Sequence, residues 1–169
     1  MADRTAALLD RIGPAILITH SASGPDGWLI ADRRPHLVKA IAAVEPMGPP
    51  FALIPNIGHM RWGATAAKMQ FEPMVDDPEV LRDAKPGTYR LPSLAGLPIL
   101  VVTAEASAFA AASPPTADFL NAFGASVEVL ALEDHGVRGN GHGLIYEKNS
   151  DAALAPVLAW LIRQTEHDV

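Results

Sequence analysis

Apolar and polar positions along this chain fall into two regimes, regular at both ends and broken in the middle. Over residues 3–12, Ala6, Leu8, Leu9 and Ile12 recur at near-helical spacing, and Gly13-Pro14 ends the predicted helix. Ala15–His20 is a continuous apolar run bounded by turn residues, which predicts a strand buried on both faces. Residues 26–36 predict a short helix through Trp28, Leu29 and Ala31, and 37–44 a second buried strand that leaves the sheet at Glu45-Pro46. Regularity returns with a strand at 97–103, a helix at 116–123, a shorter strand at 127–132 with Glu128 outward, and an amphipathic helix at 151–164. Strands alternating with helices predict parallel strands joined by right-handed crossovers: an α/β protein, three layers α/β/α, with about four strands.

Between them, residues 46–96 carry eight prolines and scattered Met, Trp and Phe. A long irregular excursion inside a compact fold reads either as a lid or binding loop or as a surface connection without a role. The whole chain, 1–169, is expected to form one domain, with 46–96 as its irregular cap.

Composition narrows the function. Hydrophobic residues make up 49% and charged residues 19% of the chain, a balance that supports a packed core and argues against disorder. A net charge of −6, with no basic cluster beyond Arg33-Arg34, argues against nucleic acid as a partner. With no cysteine, thiolate nucleophiles, disulfides and Cys-based zinc sites are excluded. No apolar run is long enough to span a bilayer, and the charged amphipathic N-terminus does not read as a signal peptide, so a cytoplasmic location is expected.

In an open parallel sheet, ligands bind beyond the carboxyl ends of the strands. This chain places Ser21, Glu45, Glu105 and a glycine-rich loop with His135 and His142 at those ends. Ser21 follows an apolar strand directly and has small residues on both sides, the layout of a nucleophile elbow, although Thr19 and Ser23 stand where glycines are common. A serine hydroxyl needs a base to take its proton, and the base needs a carboxylate to orient it. The order Ser…Glu…His supplies all three. His142, flanked by glycines, is preferred as the base over His135. Glu45 and Glu105 compete as the acid. His20 reads as a packing or orienting residue. A metal held by Asp134, His135 and His142 matches no established ligand spacing, and no cofactor is expected.

The segments Ile18-Thr19-His20-Ser21-Ala22-Ser23-Gly24, Ala43-Val44-Glu45-Pro46 and Gly139-Asn140-Gly141-His142 resemble the α/β-hydrolase family, and within it bacterial esterases whose acid is a glutamate after the strand that follows the nucleophile helix. The resemblance implies Ser21 as nucleophile, Glu45 rather than Glu105 as acid and His142 as base. It also implies about eight strands with the nucleophile after the fifth, so this chain looks like the C-terminal half of the fold. The loop that would give one of two oxyanion donors is then missing, and the N–H of Ala22 would supply the other.

The expected function is a serine hydrolase acting on small-molecule carboxylic esters, with Trp62 and Phe71 as walls for an apolar substrate group. The alternative is a non-catalytic, truncated module for binding or dimerisation, or an inactive remnant, with self-association through the exposed sheet edge.

Overall fold

A computed structural model describes residues 1–56 and 58–166. Its centre is a four-stranded parallel sheet in the order β1-β2-β5-β6, formed by β1 (Ala15–His20), β2 (Val38–Val44), β5 (Pro98–Thr103) and β6 (Ser126–Ala131). Strand order follows chain order, as short connections between parallel neighbours favour. Four helices flank it: α1 (Ala2–Ile12), α2 (Gly24–Arg33), α3 (Ser113–Ala122) and α4 (Ser150–Glu166). Two further strands, β3 (Leu53–Ile54) and β4 (Gly58–His59), make a small antiparallel hairpin within the excursion.

Side chains alternate across the two central strands, as the pleat requires. Ile41, Ala43, Ile99 and Val101 face one layer with Leu9, Trp28, Leu120 and Phe123. Ala40, Ala42, Val44, Leu100 and Val102 face the other, against Val157, Trp160 and Leu161 of α4. This is the predicted three-layer arrangement. The helices differ from expectation mainly at their ends: α2 begins two residues earlier, at Gly24, and α3 three residues earlier, at Ser113. Prolines at the first helical turns, Pro25 and Pro114-Pro115, are compatible with those starts because the N–H they lack has no partner there.

One expectation changes. The apolar run Ala15–His20 predicts a strand buried on both faces, but among the described residues β1 has a neighbour on one side only and is half-buried, with Ile18 61% exposed. It is the sheet edge that the half-fold reading anticipates. Ion pairs strap α1 over the end of α2. Arg34 donates to both carboxylate oxygens of Asp10, at 2.7 and 2.9 Å, and Arg33 to Asp3. The Arg34 guanidinium holds the Asp10 carboxyl below its usual value.

The excursion is packed onto the sheet layer. Ala64, Met69, Phe71, Val75, Leu81, Leu91 and Leu94 are all buried in the core shared with α2 and α3. Its irregular backbone is held by short turns and by one antiparallel bridge between Glu72 and Arg90. Proline-rich pieces cannot form a ladder, but they still bury apolar side chains once a sheet face is available.

Candidate active site

Three connections leave the carboxyl ends of β1, β2 and β5 and meet a fourth that follows β6. After β1 the backbone turns at once. Ser21 sits at φ 59°, a left-handed conformation rare for a residue with a side chain, before a single 3-10 turn at Ser21–Ser23 and then α2. Ser23 closes this turn on His20: its hydroxyl accepts the His20 N–H at 3.2 Å and donates to the His20 carbonyl at 2.8 Å. The serine that departs from the common glycine pattern is therefore part of the turn. Gly24 is required for a different reason. A Cβ built there would lie 2.5 Å from Cβ of Pro46, so only glycine lets α2 start against the exit of β2. The Met47 N–H also donates to the Ser21 carbonyl at 3.0 Å and ties the two turns together.

Glu45 also occupies the left-handed region, at φ 48°, and its side chain is fully buried. Such a carboxylate is costly without donors. Three donors meet it: the Ala104 N–H at 2.6 Å on Oε1, and the Ser107 hydroxyl and His142 Nδ1 on Oε2, the latter at 3.3 Å. A carboxylate only accepts, so Nδ1 carries the proton of neutral His142. Nε2 is then left to accept from the Ser21 hydroxyl, 2.8 Å away. The chain Ser21–His142–Glu45 thus carries the proton arrangement that general-base chemistry on a serine needs.

The imidazole of His142 lies between two rings. Phe109 is 4.5 Å from it, centroid to centroid, and His20 is stacked at 4.9 Å. His20 Nε2 donates to the His142 carbonyl at 3.0 Å, so His20 helps orient the loop that carries His142. That loop is further fixed by Asn140. This buried residue exchanges amide hydrogen bonds with Asn149 at 2.7 and 2.9 Å and donates to Glu147 at 2.6 Å.

The other sequence candidates lie elsewhere. Glu105 accepts from Arg138 at 3.0 Å and from the Gly139 N–H at 2.9 Å, which makes it a fastener of the glycine-rich loop. His135 and Asp134 are exposed on the turn Leu132–His135, and His135 lines a separate cavity with Glu128 and Trp160. Trp62 and Phe71, expected as substrate walls, stack on each other at 6.4 Å, and Phe71 is buried against Phe123. Phe71 belongs to the core beneath the excursion, and Trp62 is half-buried against that core with Lys68 Nζ 5.2 Å from its ring centroid. Burying the Phe71 ring there removes more apolar area from water than leaving it on an open wall. Among the described residues, no hydrogen bond or ring contact joins residues 48–96 to Ser21, Glu45 or His142. Ala22 is the second residue of the turn Ser21–Ser23 that follows β1, where N–H groups lack an intrahelical acceptor. Sequence reasoning missed Ser107 and Phe109. The only signal was a hydroxyl and an aromatic just beyond the carboxyl end of the third long strand.

No family model matches the chain. A curated relative, the probable secreted lipase phiG of Fungal sp. (strain ATCC 74256), is 40% identical over 178 residues, covering 94% of this chain and 49% of the relative. The chain thus spans about half the length of the curated relative it matches. A solved structure of a novel bacterial esterase aligns with a TM-score of 0.64 at 22% identity, covering 97% of this chain and 42% of that one. A carboxylesterase structure from the thaumarchaeon Nitrososphaera gargenis aligns with a TM-score of 0.59 at 15% identity, covering 99% and 72%. The fold is that of the α/β-hydrolases, and coverage of less than half of the first two is consistent with the C-terminal half of it. The relatives' names place the resemblance, at family level, with hydrolases of ester type. The cytoplasmic expectation is corrected, because the curated relative is named a secreted protein. Among the described residues, no helix is long and apolar enough to cross a membrane.

Proposed function

With the α/β-hydrolase fold as premise, we propose that this chain carries the nucleophile, base and acid of a secreted serine hydrolase that cleaves carboxylic esters. The observation that carries the reading is the unbroken run of contacts from Ser21 Oγ to His142 Nε2 at 2.8 Å and from His142 Nδ1 to Glu45 at 3.3 Å. The longer second contact suits a resting site, since such bonds tighten as charge develops.

In the proposed reaction Ser21 Oγ attacks the ester carbonyl carbon while His142 Nε2 takes its proton. The negative charge moves to the carbonyl oxygen, for which we assign the Ala22 N–H as a donor. Collapse of this intermediate breaks the C–O bond, and His142 returns the proton to the departing alcohol. Ser21 is left acylated. His142 then takes a proton from water, which attacks the acyl carbon; the bond to Ser21 Oγ breaks, His142 returns the proton to Ser21 Oγ, and the acid is released. The buried Glu45 carboxylate holds His142 in the reactive tautomer and stabilises the imidazolium.

The test is the release of p-nitrophenol from a short-chain p-nitrophenyl ester. The reading requires release that depends on Ser21 and disappears in Ser21→Ala. Equal release by both proteins would exclude Ser21 as the nucleophile.

The exposed edge at β1 favours a second reading. A half-buried strand with Ile18 turned to solvent offers unpaired backbone groups to another strand. In that reading the chain serves as a non-catalytic module that associates through this edge. Sedimentation separates the two: a dimer without Ser21-dependent ester cleavage favours the module, and cleavage by a monomer favours the enzyme.

A further inference from the structure

We propose that Ser107 is a positioning residue that holds the Glu45 carboxylate on His142; the proposal rests on the reading of Ser21, His142 and Glu45 as a triad. Glu45 reaches His142 Nδ1 through Oε2 alone, at 3.3 Å. Its other oxygen is pinned by the Ala104 N–H at 2.6 Å. One pinned oxygen leaves the carboxylate free to turn about its last side-chain bond, whose torsional preference is broad, and that turn carries Oε2 away from Nδ1. The Ser107 hydroxyl is the second pin, because it donates to Oε2 itself.

The direction of that hydroxyl is fixed. Ser107 Oγ accepts the Phe109 N–H at 3.0 Å. A hydroxyl has one proton to give, and the carboxylate has none, so the proton lies between Ser107 and Glu45. Ser107 is held in turn by the segment around it. Its N–H donates to the Ala104 carbonyl at 3.1 Å, and the neighbouring Ala106 N–H donates to the Asn140 carbonyl at 2.9 Å. The same short segment places the Phe109 ring 4.5 Å from the imidazole. Residues 104–109 therefore set the acid, the flank of the base and the loop that carries the base from one backbone. Ser107 acts through Glu45 and does not touch the reacting atoms.

The experiment compares wild type with Ser107→Ala, Ser107→Thr and the near-isosteric Ser107→Cys, which keeps the shape and weakens the donor. Two readouts are followed that do not depend on catalytic turnover. One is the low-field proton resonance of His142 Nδ1–H in histidine-labelled protein. The other is the rate of Ser21 labelling by a fluorophosphonate. The expected result is that Ser107→Ala loses or shifts the resonance upfield and slows labelling about tenfold, in the range seen when groups supporting a site's ligands are removed. Ser107→Thr restores both, and Ser107→Cys falls between. A resonance and labelling rate equal to wild type in both the Ala and Cys variants would overturn the proposal. Glu45→Gln separates it from the reading beneath it. If Glu45→Gln changes both readouts and the Ser107 variants change neither, the role of Ser107 alone fails. If Glu45→Gln also changes nothing, the triad reading itself fails.

Discussion

The excursion at 46–96 and the six residues at 104–109 are both irregular connections that follow a strand, yet they sit in the molecule in opposite ways. The long one is rich in aromatic and methionine side chains and spends them on the core: Met69, Phe71, Leu81 and Leu91 are buried against α2 and α3. The short one contributes little to the core and almost everything to the surroundings of His142. Ala104 and Ser107 donate to Glu45, Phe109 flanks the imidazole, and Glu105 and Ala106 fasten the glycine-rich loop. Length and aromatic content are therefore poor guides to which loop shapes a site. Attachment to the carboxyl end of a central strand is the better one, because that is where a parallel sheet brings its loops together.

The comparison can be broken at several points with one assay, the rate of labelling by a fluorophosphonate. The largest effect is expected for His142→Ala, which removes the acceptor of the Ser21 proton; labelling falls by at least about 10,000-fold, towards background. Glu45→Gln keeps the shape but replaces an acceptor by a group that also donates, which favours the wrong His142 tautomer; a loss of about 1,000-fold is expected. Phe109→Ala, on the short segment, removes a flank of the imidazole and slows labelling about tenfold. Phe71→Ala, on the long excursion, sharpens the contrast. The labelling rate per folded molecule stays within about twofold of wild type, while a denaturant titration shows a loss of about 3–5 kcal/mol for the buried ring. A reversed pattern, with Phe71→Ala slow and stable and Phe109→Ala fast and unstable, would assign the two segments the opposite roles.

The sheet was legible because its strands are short apolar runs cut by proline, glycine and polar residues, and because buried alternation leaves few alternatives for Ile41, Ala43, Ile99 and Val101. Ser21, Glu45 and His142 were legible for a topological reason: each lies just past a strand or in the loop before the last helix. Sequence alone left Glu105 competing with Glu45, since both are carboxylates at strand ends. The structure separates them by burial, with Glu45 fully enclosed and Glu105 exposed to Arg138. Ser107 was not legible. A serine in a loop has no pattern of its own, and its role depends on which carboxylate folds across to meet it. The placement of Trp62 and Phe71 was not legible for a related reason. Scattered aromatics in a proline-rich stretch carry no periodicity that says which side they face.

The edge at β1 connects the fold to the function. Its register with β2 is continuous from Ile16 to His20, so the turn that presents Ser21 hangs from a strand supported on one side only. The hydrogen bonds of Ser23 to His20 and of Met47 to Ser21 brace the turn from within. These bonds fix the backbone that carries Ser21.

The central claim is that Ser21 is a nucleophile activated by His142. Mass-spectrometric mapping of the fluorophosphonate adduct on the intact chain tests it most directly. The account predicts one phosphonate per chain, on the peptide that carries Ser21, and no adduct in Ser21→Ala. An unlabelled Ser21, or an adduct that persists at another hydroxyl in Ser21→Ala, would contradict it.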